Sequence, residues 1–157
     1  AIFLMVVLAM LGAFMLSVTA IQESSSQRDV QGVRAYQAAR AGIEWGAFQV
    51  LDPNNTLNPA TCSPLNWPGT CVASTNIASL AGSLSPFTVT VTCAATSATE
   101  GNREIRVYQL VATACNQPSA GACPPASPTS GYVERQLQAT LSKCKDPTAT
   151  APRCACG

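Results

Sequence analysis

No histidine occurs in the 157 residues. That absence removes imidazole bases, histidine metal ligands and c-type haem attachment together. Charge is scarce as well: nine Lys or Arg face eight Asp or Glu, for a net charge of +1. The basic residues are scattered, so no electrostatic footprint for nucleic acid is expected. No P-loop, Gly-x-Ser-x-Gly or nucleotide fingerprint is present, and the carboxylates are too few and dispersed for a glycosidase pair. The chain is therefore expected not to be an enzyme and to need no cofactor and no metal. Three further absences are positional: no charge among residues 1–21, no proline before Pro53 and no cysteine before Cys62.

The uncharged opening, AIFLMVVLAMLGAFMLSVTAI, has Ser17 and Thr19 as its only hydroxyls. As a helix it would be about 31 Å long, roughly the thickness of a bilayer's hydrocarbon core. Its apolar surface runs all the way round, which suits lipid or a bundle of like helices. Ile2, Phe3, Leu4, Val7, Leu8, Leu11, Phe14, Leu16 and Ile21 are the expected contacts, and Gly12 with Ala9 and Ala13 admits a close neighbour. The chain opens on Ala1 without a basic leader, which predicts that it is cleaved or incompletely represented. An apolar segment longer than a signal's core predicts a lasting role.

Residues 22–52 keep helical spacing while turning polar. Val33, Tyr36, Ile43, Ala47 and Val50 recur every three to four residues, a stripe expected to pack on a sheet while Arg34, Arg40 and Glu44 face outward. Ala35, Ala38, Ala39 and Ala41 favour helix and permit close approach. Asp52-Pro53 followed by Asn54-Asn55 stops the helix. A single helix over residues 1–51 is the first expectation. A loosening near residues 22–32, at Ser24-Ser25-Ser26 and Gly32, is the second. Arg28 and Asp29 read as surface charge or as partners for neighbouring subunits.

Residues 53–157 predict a small sheet domain. Residues 53–86 are rich in proline and read as a pinned surface loop with short helical or strand pieces near residues 77–84. The sharper reading of that loop is a binding loop exposing Leu65 and Trp67. FTVTVTC at residues 87–93 alternates with period two, as do EIRVYQLVATA at residues 104–114 and residues 132–142. Thr99-Glu100-Gly101-Asn102 predicts a hairpin turn. In the third run Val133, Leu137, Ala139 and Leu141 share a face. Three antiparallel strands with one dry face need a cover, and the striped helix is the nearest. The expected fold class is thus α+β: a long N-terminal helix spine over residues 1–52 with a small antiparallel sheet head.

Eight cysteines in so short a head point to disulfides in an oxidising compartment, since two-residue zinc spacings are missing. Strand order predicts Cys62–Cys71, Cys115–Cys123 and Cys93–Cys144. Cys154 and Cys156 are left over, and one of them is an alternative partner for Cys93 or Cys144.

IFLMVVLAMLGAF and DVQGVRAYQAARAGIEWGAFQ, with the later FTVTVTC, YQLVATAC and GYVERQLQATLS, resemble type IV pilin-like proteins. The likeness is nearest to the accessory MshP-like biogenesis proteins of the mannose-sensitive haemagglutinin pilus. It implies a subunit, structural or minor, that polymerises through its N-terminal helix into an extracellular filament for adhesion or motility. The implied partners are further copies or other pilins, the inner membrane before assembly and the pilus assembly machinery. The implied location is the bacterial inner membrane, then the cell-surface pilus. Met5 stands where typical major pilins carry a glutamate, counting from Ala1. The alternatives are a type II secretion pseudopilin and a non-polymerising, single-span membrane-anchored binding domain.

Overall fold

The computed structural model describes residues 2–51, 61–63, 67, 70–151 and 154–156, with the side chains of residues 18, 20, 21 and 24 outside that description. Helix α1 runs unbroken over Ile2–Leu51, about 75 Å at 1.5 Å per residue. The hydroxyls along it bond back to their own helix: Ser17 Oγ donates to Phe14 O at 2.7 Å, Thr19 Oγ1 to Met15 O at 3.0 Å and Ser25 Oγ to Gln22 O at 3.0 Å. Satisfied this way they leave the backbone ladder intact, so the loosening near residues 22–32 does not occur. At the far end Lys143 Nζ donates to Leu51 O at 3.1 Å. A cation there satisfies an orphan carbonyl and complements the helix dipole.

Four strands follow: β1 (Ser74–Ile77), β2 (Thr88–Glu100), β3 (Arg103–Cys115) and β4 (Glu134–Lys145), antiparallel in the order β1-β2-β3-β4. The sheet thus holds one strand more than the three expected. β1 falls in the proline-rich stretch, and the short 3-10 turn Gly82–Leu84 comes after it. The β2–β3 hairpin turns at Gly101, whose φ of +61° favours glycine. β2 extends well past Cys93, in register with β3 from Thr88↔Cys115 to Glu100↔Arg103.

The helix lies on the sheet face that carries Val89, Val91, Leu110, Ala112 and Ala114. Ala35, Ala38 and Ala39 pack in one cluster with Phe87, Val89 and Ala112, and Val50 in a second with Tyr108 and Leu110. Small residues set the separation. A Cβ on Gly42 would lie 2.6 Å from Val89 Cγ1 and 3.1 Å from Ala112 Cβ, and one on Gly46 3.3 Å from Leu110 Cδ1. Ile43 and Ala47 pack against the clusters, and Val50 is buried. Val33 and Tyr36, expected on this face, are instead 62% and 44% exposed. At helical spacing the buried stripe passes through the alanines and glycines, because the backbones meet too closely for larger side chains.

All eight cysteines are paired: Cys62–Cys154, Cys71–Cys93, Cys115–Cys123 and Cys144–Cys156. Cys115–Cys123 follows the expectation, and Cys144–Cys156 its stated alternative. Cys62–Cys71 and Cys93–Cys144 are corrected. The reason is strand length. Cys93 lies opposite Leu110 on the helix face, whereas Cys144 lies opposite Ile105, five residues along β3 and so on the other face.

The chain-entropy model ranks these bridges by the loop each closes. Cys62–Cys154 spans 92 residues and Cys115–Cys123 spans 8. Replacing both cysteines of the first by alanine is expected to cost roughly 4–5 kcal/mol, and of the second roughly 2–3 kcal/mol. Chemical denaturation of the two variants in detergent measures the difference; equal losses would contradict the ranking.

Candidate functional site: an exposed apolar half-helix and its neck

The first half of α1 buries no described side chain against the head. Every described side chain over residues 2–31 is exposed, and the first buried position is Gly32. Ile2 and Phe3 are each 82% exposed and Leu16 is 75% exposed; Leu4, Leu8, Leu11 and Phe14 are exposed too. Val7 is the least exposed of this set, at 39%. A Cβ on Gly12 would meet nothing within 4 Å. The side chain of Ile21 lies outside the described residues.

So large an apolar surface is costly in water. Each fully covered Leu, Ile or Phe contributes about 1.5–3 kcal/mol relative to exposure. Among the described residues the head leaves that surface exposed. A surface of this kind favours association with other apolar groups, and the open space at Gly12 leaves room for a close neighbour.

Among the described residues no helix is long and apolar enough to cross a membrane, so the expected transmembrane helix is not met there.

Below the apolar half, where α1 reaches the sheet, lies a groove of about 480 Å³ lined by Arg28, Asp29, Gly32, Tyr132, Glu134 and Arg135 among others. Gly32 makes room for Arg135, whose Nη2 would stand 3.1 Å from an added Cβ. Tyr132 donates its hydroxyl to the Glu134 carboxylate. Desolvation first, then that hydrogen bond and the nearby negative charge, push the Tyr132 phenol well above its ordinary range. The loop that carries Tyr132 is tied internally: Asn116 Nδ2 donates to Gly131 O at 2.8 Å, and Val133 N to Asn116 Oδ1 at 2.9 Å. Both charge signs thus flank the point where the helix emerges, Arg28 and Asp29 on the helix with Glu134 and Arg135 on β4.

At the opposite end of the head the tail is clamped rather than displayed. The Arg106 guanidinium stands 4.8 Å, and Lys145 Nζ 5.3 Å, from the ring centre of Trp67. Trp67 is thereby a packing residue, stabilised by cation–π attraction, and not the exposed tip of a binding loop. Leu65 lies outside the described residues. Asp146 N donates to Cys154 O at 2.7 Å, and Ala155 forms a β-bridge with Lys145.

Asp146 itself accepts from Thr148 Oγ1 at 2.6 Å and Thr148 N at 2.8 Å, with Arg103 Nε at 3.3 Å. These bonds, the Thr148 hydroxyl foremost, hold its carboxyl below the usual carboxylate range. A lowered folded pKa stabilises above the unfolded value, and that contribution is lost as pH falls through the folded one. The turn is therefore expected to hold at neutral pH and to open only below about pH 4. Amide exchange at Thr148 across a pH series reads this, and Asp146→Asn should erase the acid-dependent step.

Among the described residues no three His, Cys, Asp or Glu side chains converge as a metal site, and the cysteines are committed to disulfides. The signal for the small-residue stripe was present as Ala35, Ala38 and Ala39. The groove at the neck, by contrast, joins residues about a hundred positions apart and has no local signature. Comparison with protein-family models, curated proteins and solved structures returns no match.

Proposed function

We propose that this chain is a structural or minor subunit of a type IV-like pilus, of the mannose-sensitive haemagglutinin kind. In this reading it polymerises through the exposed half of α1. The observation that carries the reading is that half-helix: apolar on every side, and exposed at every described side chain. Sister helices supply the missing cover, while the disulfide-stapled head faces water. Between synthesis and assembly the subunit is placed at the bacterial inner membrane, and afterwards in an extracellular filament for adhesion or motility. The pilus assembly machinery and other pilins are its partners in this scheme. The four disulfides support an oxidising destination.

The charges at the neck fit the same reading. Arg28 and Asp29 sit about one turn before the first buried position, at the height where a neighbouring subunit's helix would pass. Shearing cells that express the chain, then imaging the released fibres and identifying their chains, tests the proposal. Recovery of this chain in helical filaments is the expected result. Exclusive recovery with the membrane fraction, with no fibre containing it, would overturn the proposal in favour of a non-polymerising anchored domain.

A further inference from the structure

The sheet has two edges, and they differ in how they are protected. On one side β4 carries Glu134, Arg135 and Lys143 along its length, and its end is bridged by Ala155 of the tail. Charged side chains and a covering segment are the ordinary means of blunting an edge. On the other side β1 covers β2 only from Val89 to Thr92, in the register Ile77↔Val89 to Ser74↔Thr92. The chain then leaves this edge, because Cys71 is bonded to Cys93 and Thr70 N donates to Gln49 O at 2.9 Å, drawing it toward the helix.

Beyond that point β2 continues through residues 94–100, paired with β3 on one side and with no ladder partner on the other among the described residues. All seven of these residues are exposed. They read Ala-Ala-Thr-Ser-Ala-Thr-Glu, with no lysine, proline or bulky group, and Glu100 at the very end is the one charge. Alternate backbone amides and carbonyls of such a strand point outward and need partners.

We propose that residues 94–100 form a docking edge for the same edge of a second copy of this chain, paired antiparallel about a two-fold axis at Ser97. The sequence is self-complementary in that register. Ala94 falls opposite Glu100, Ala95 opposite Thr99, Thr96 opposite Ala98 and Ser97 opposite its own mate. No like charges face each other, since Glu100 meets an alanine. Small side chains leave both faces of the joined sheet free of clashes, and a two-fold interface of one patch with itself closes without propagating. The edge lies at the end of the head where α1 terminates, away from the exposed apolar half-helix. Edge pairing therefore does not compete with association through the helix, and it joins copies that belong to different helical assemblies.

Ser97→Cys in the full chain, held in detergent, tests the register. Directly opposed residues in an antiparallel pair have Cα atoms about 4.5–5.5 Å apart, inside the roughly 4.4–6.8 Å that a disulfide spans. Mild oxidation should give a dimer, cross-linked through the two introduced thiols, at least tenfold in excess of that from Asn102→Cys. Asn102 sits at the exposed hairpin turn, where the two-fold places the two copies far apart. Amide exchange on the unmodified chain gives a second reading, free of any disulfide reshuffling. Amides within residues 94–100 should slow by about tenfold as concentration rises, and Thr96→Pro should abolish that slowing. Equal cross-linking of the two cysteine variants would overturn the proposal. So would fast exchange at every concentration, or slow exchange that does not depend on concentration, which would mean that the chain covers its own edge.

Discussion

Leu11→Lys is expected to remove the chain from filaments while leaving its head folded. Leu11 is 53% exposed on α1, where every described side chain over residues 2–31 is exposed. The substitution therefore disturbs no buried position among the described residues. Its cost arises only when sister helices surround it, because an unpaired ammonium then loses its water without gaining a counter-ion. A buried, uncompensated charge costs about 3 kcal/mol or more, roughly a hundredfold in incorporation. Leu11→Met, which conserves volume and polarity, should incorporate as the parent does. Counting the chain in sheared fibres, with thermal unfolding of the head as the control, separates assembly from folding. Normal incorporation of Leu11→Lys would sink the helix-packing reading, whereas an unfolded head would show that the apolar half does contact the head.

The second large effect concerns the helix–sheet seam. Gly42→Leu is expected to separate helix from sheet and to abolish cooperative unfolding of the head. Gly42→Ala should be destabilising by about 1–2 kcal/mol despite alanine's better helix propensity, worth about 1 kcal/mol in the other direction. The new Cβ would sit 2.6 Å from a methyl of Val89 and 3.1 Å from Ala112 Cβ. Alanine has no rotamer to change, and valine's branched carbon is held by the strand, so the backbones have to part. Gly46→Ala is the internal comparison, because its nearest neighbours are terminal methyls of Leu110 and Val91 at 3.3 Å. Leucine's ends swing away more easily, and the propensity gain then cancels the crowding, leaving this variant within about 0.5 kcal/mol of the parent. Near-ultraviolet circular dichroism during heating reports both, since Trp45 packs on the core. Equal behaviour of the two alanine variants would refute the close-approach argument.

Much of the architecture was legible because its signals are local. The absence of proline before Pro53 and the run of helix formers made a continuous spine the first expectation. Period-two alternation in FTVTVTC and in the stretches around Tyr108 and Leu137 placed three of the four strands, and Gly101 marked the turn between β2 and β3. β1 was legible only as an unspecified short helical or strand piece near residues 77–84, because Ser74–Ile77 is short, polar at three of four positions and held in the sheet by its neighbour β2 rather than by its own pattern. The packing stripe was legible at Ile43, Ala47 and Val50 but not at Val33 and Tyr36, for a related reason. Hydrophobicity drew attention to Val33 and Tyr36, but the sheet selects for smallness where the backbones come within reach of each other, and so Ala35, Ala38, Ala39 and Gly42 are inside.

The disulfide map was the least readable feature, since eight thiols allow 105 pairings and the choice depends on which face and which end of a strand each reaches. Because β2 runs on to Glu100, Cys93 lies mid-strand rather than at a strand end, and the expected bond to Cys144 cannot form. The neck groove and the bare edge of β2 belong with it, as both arise from elements distant in the chain.

What the amino-acid order determined unaided is the division of labour: an uncharged, wholly apolar rod followed by a polar, cysteine-rich sheet domain. Composition and periodicity act over a few turns or a few alternations, and that range suffices for such a division. Only the tertiary structure decided which small residues form the seam, how the eight sulfurs pair and which sheet edge stays open. Each of those depends on distances between segments far apart in the chain, which no local pattern encodes.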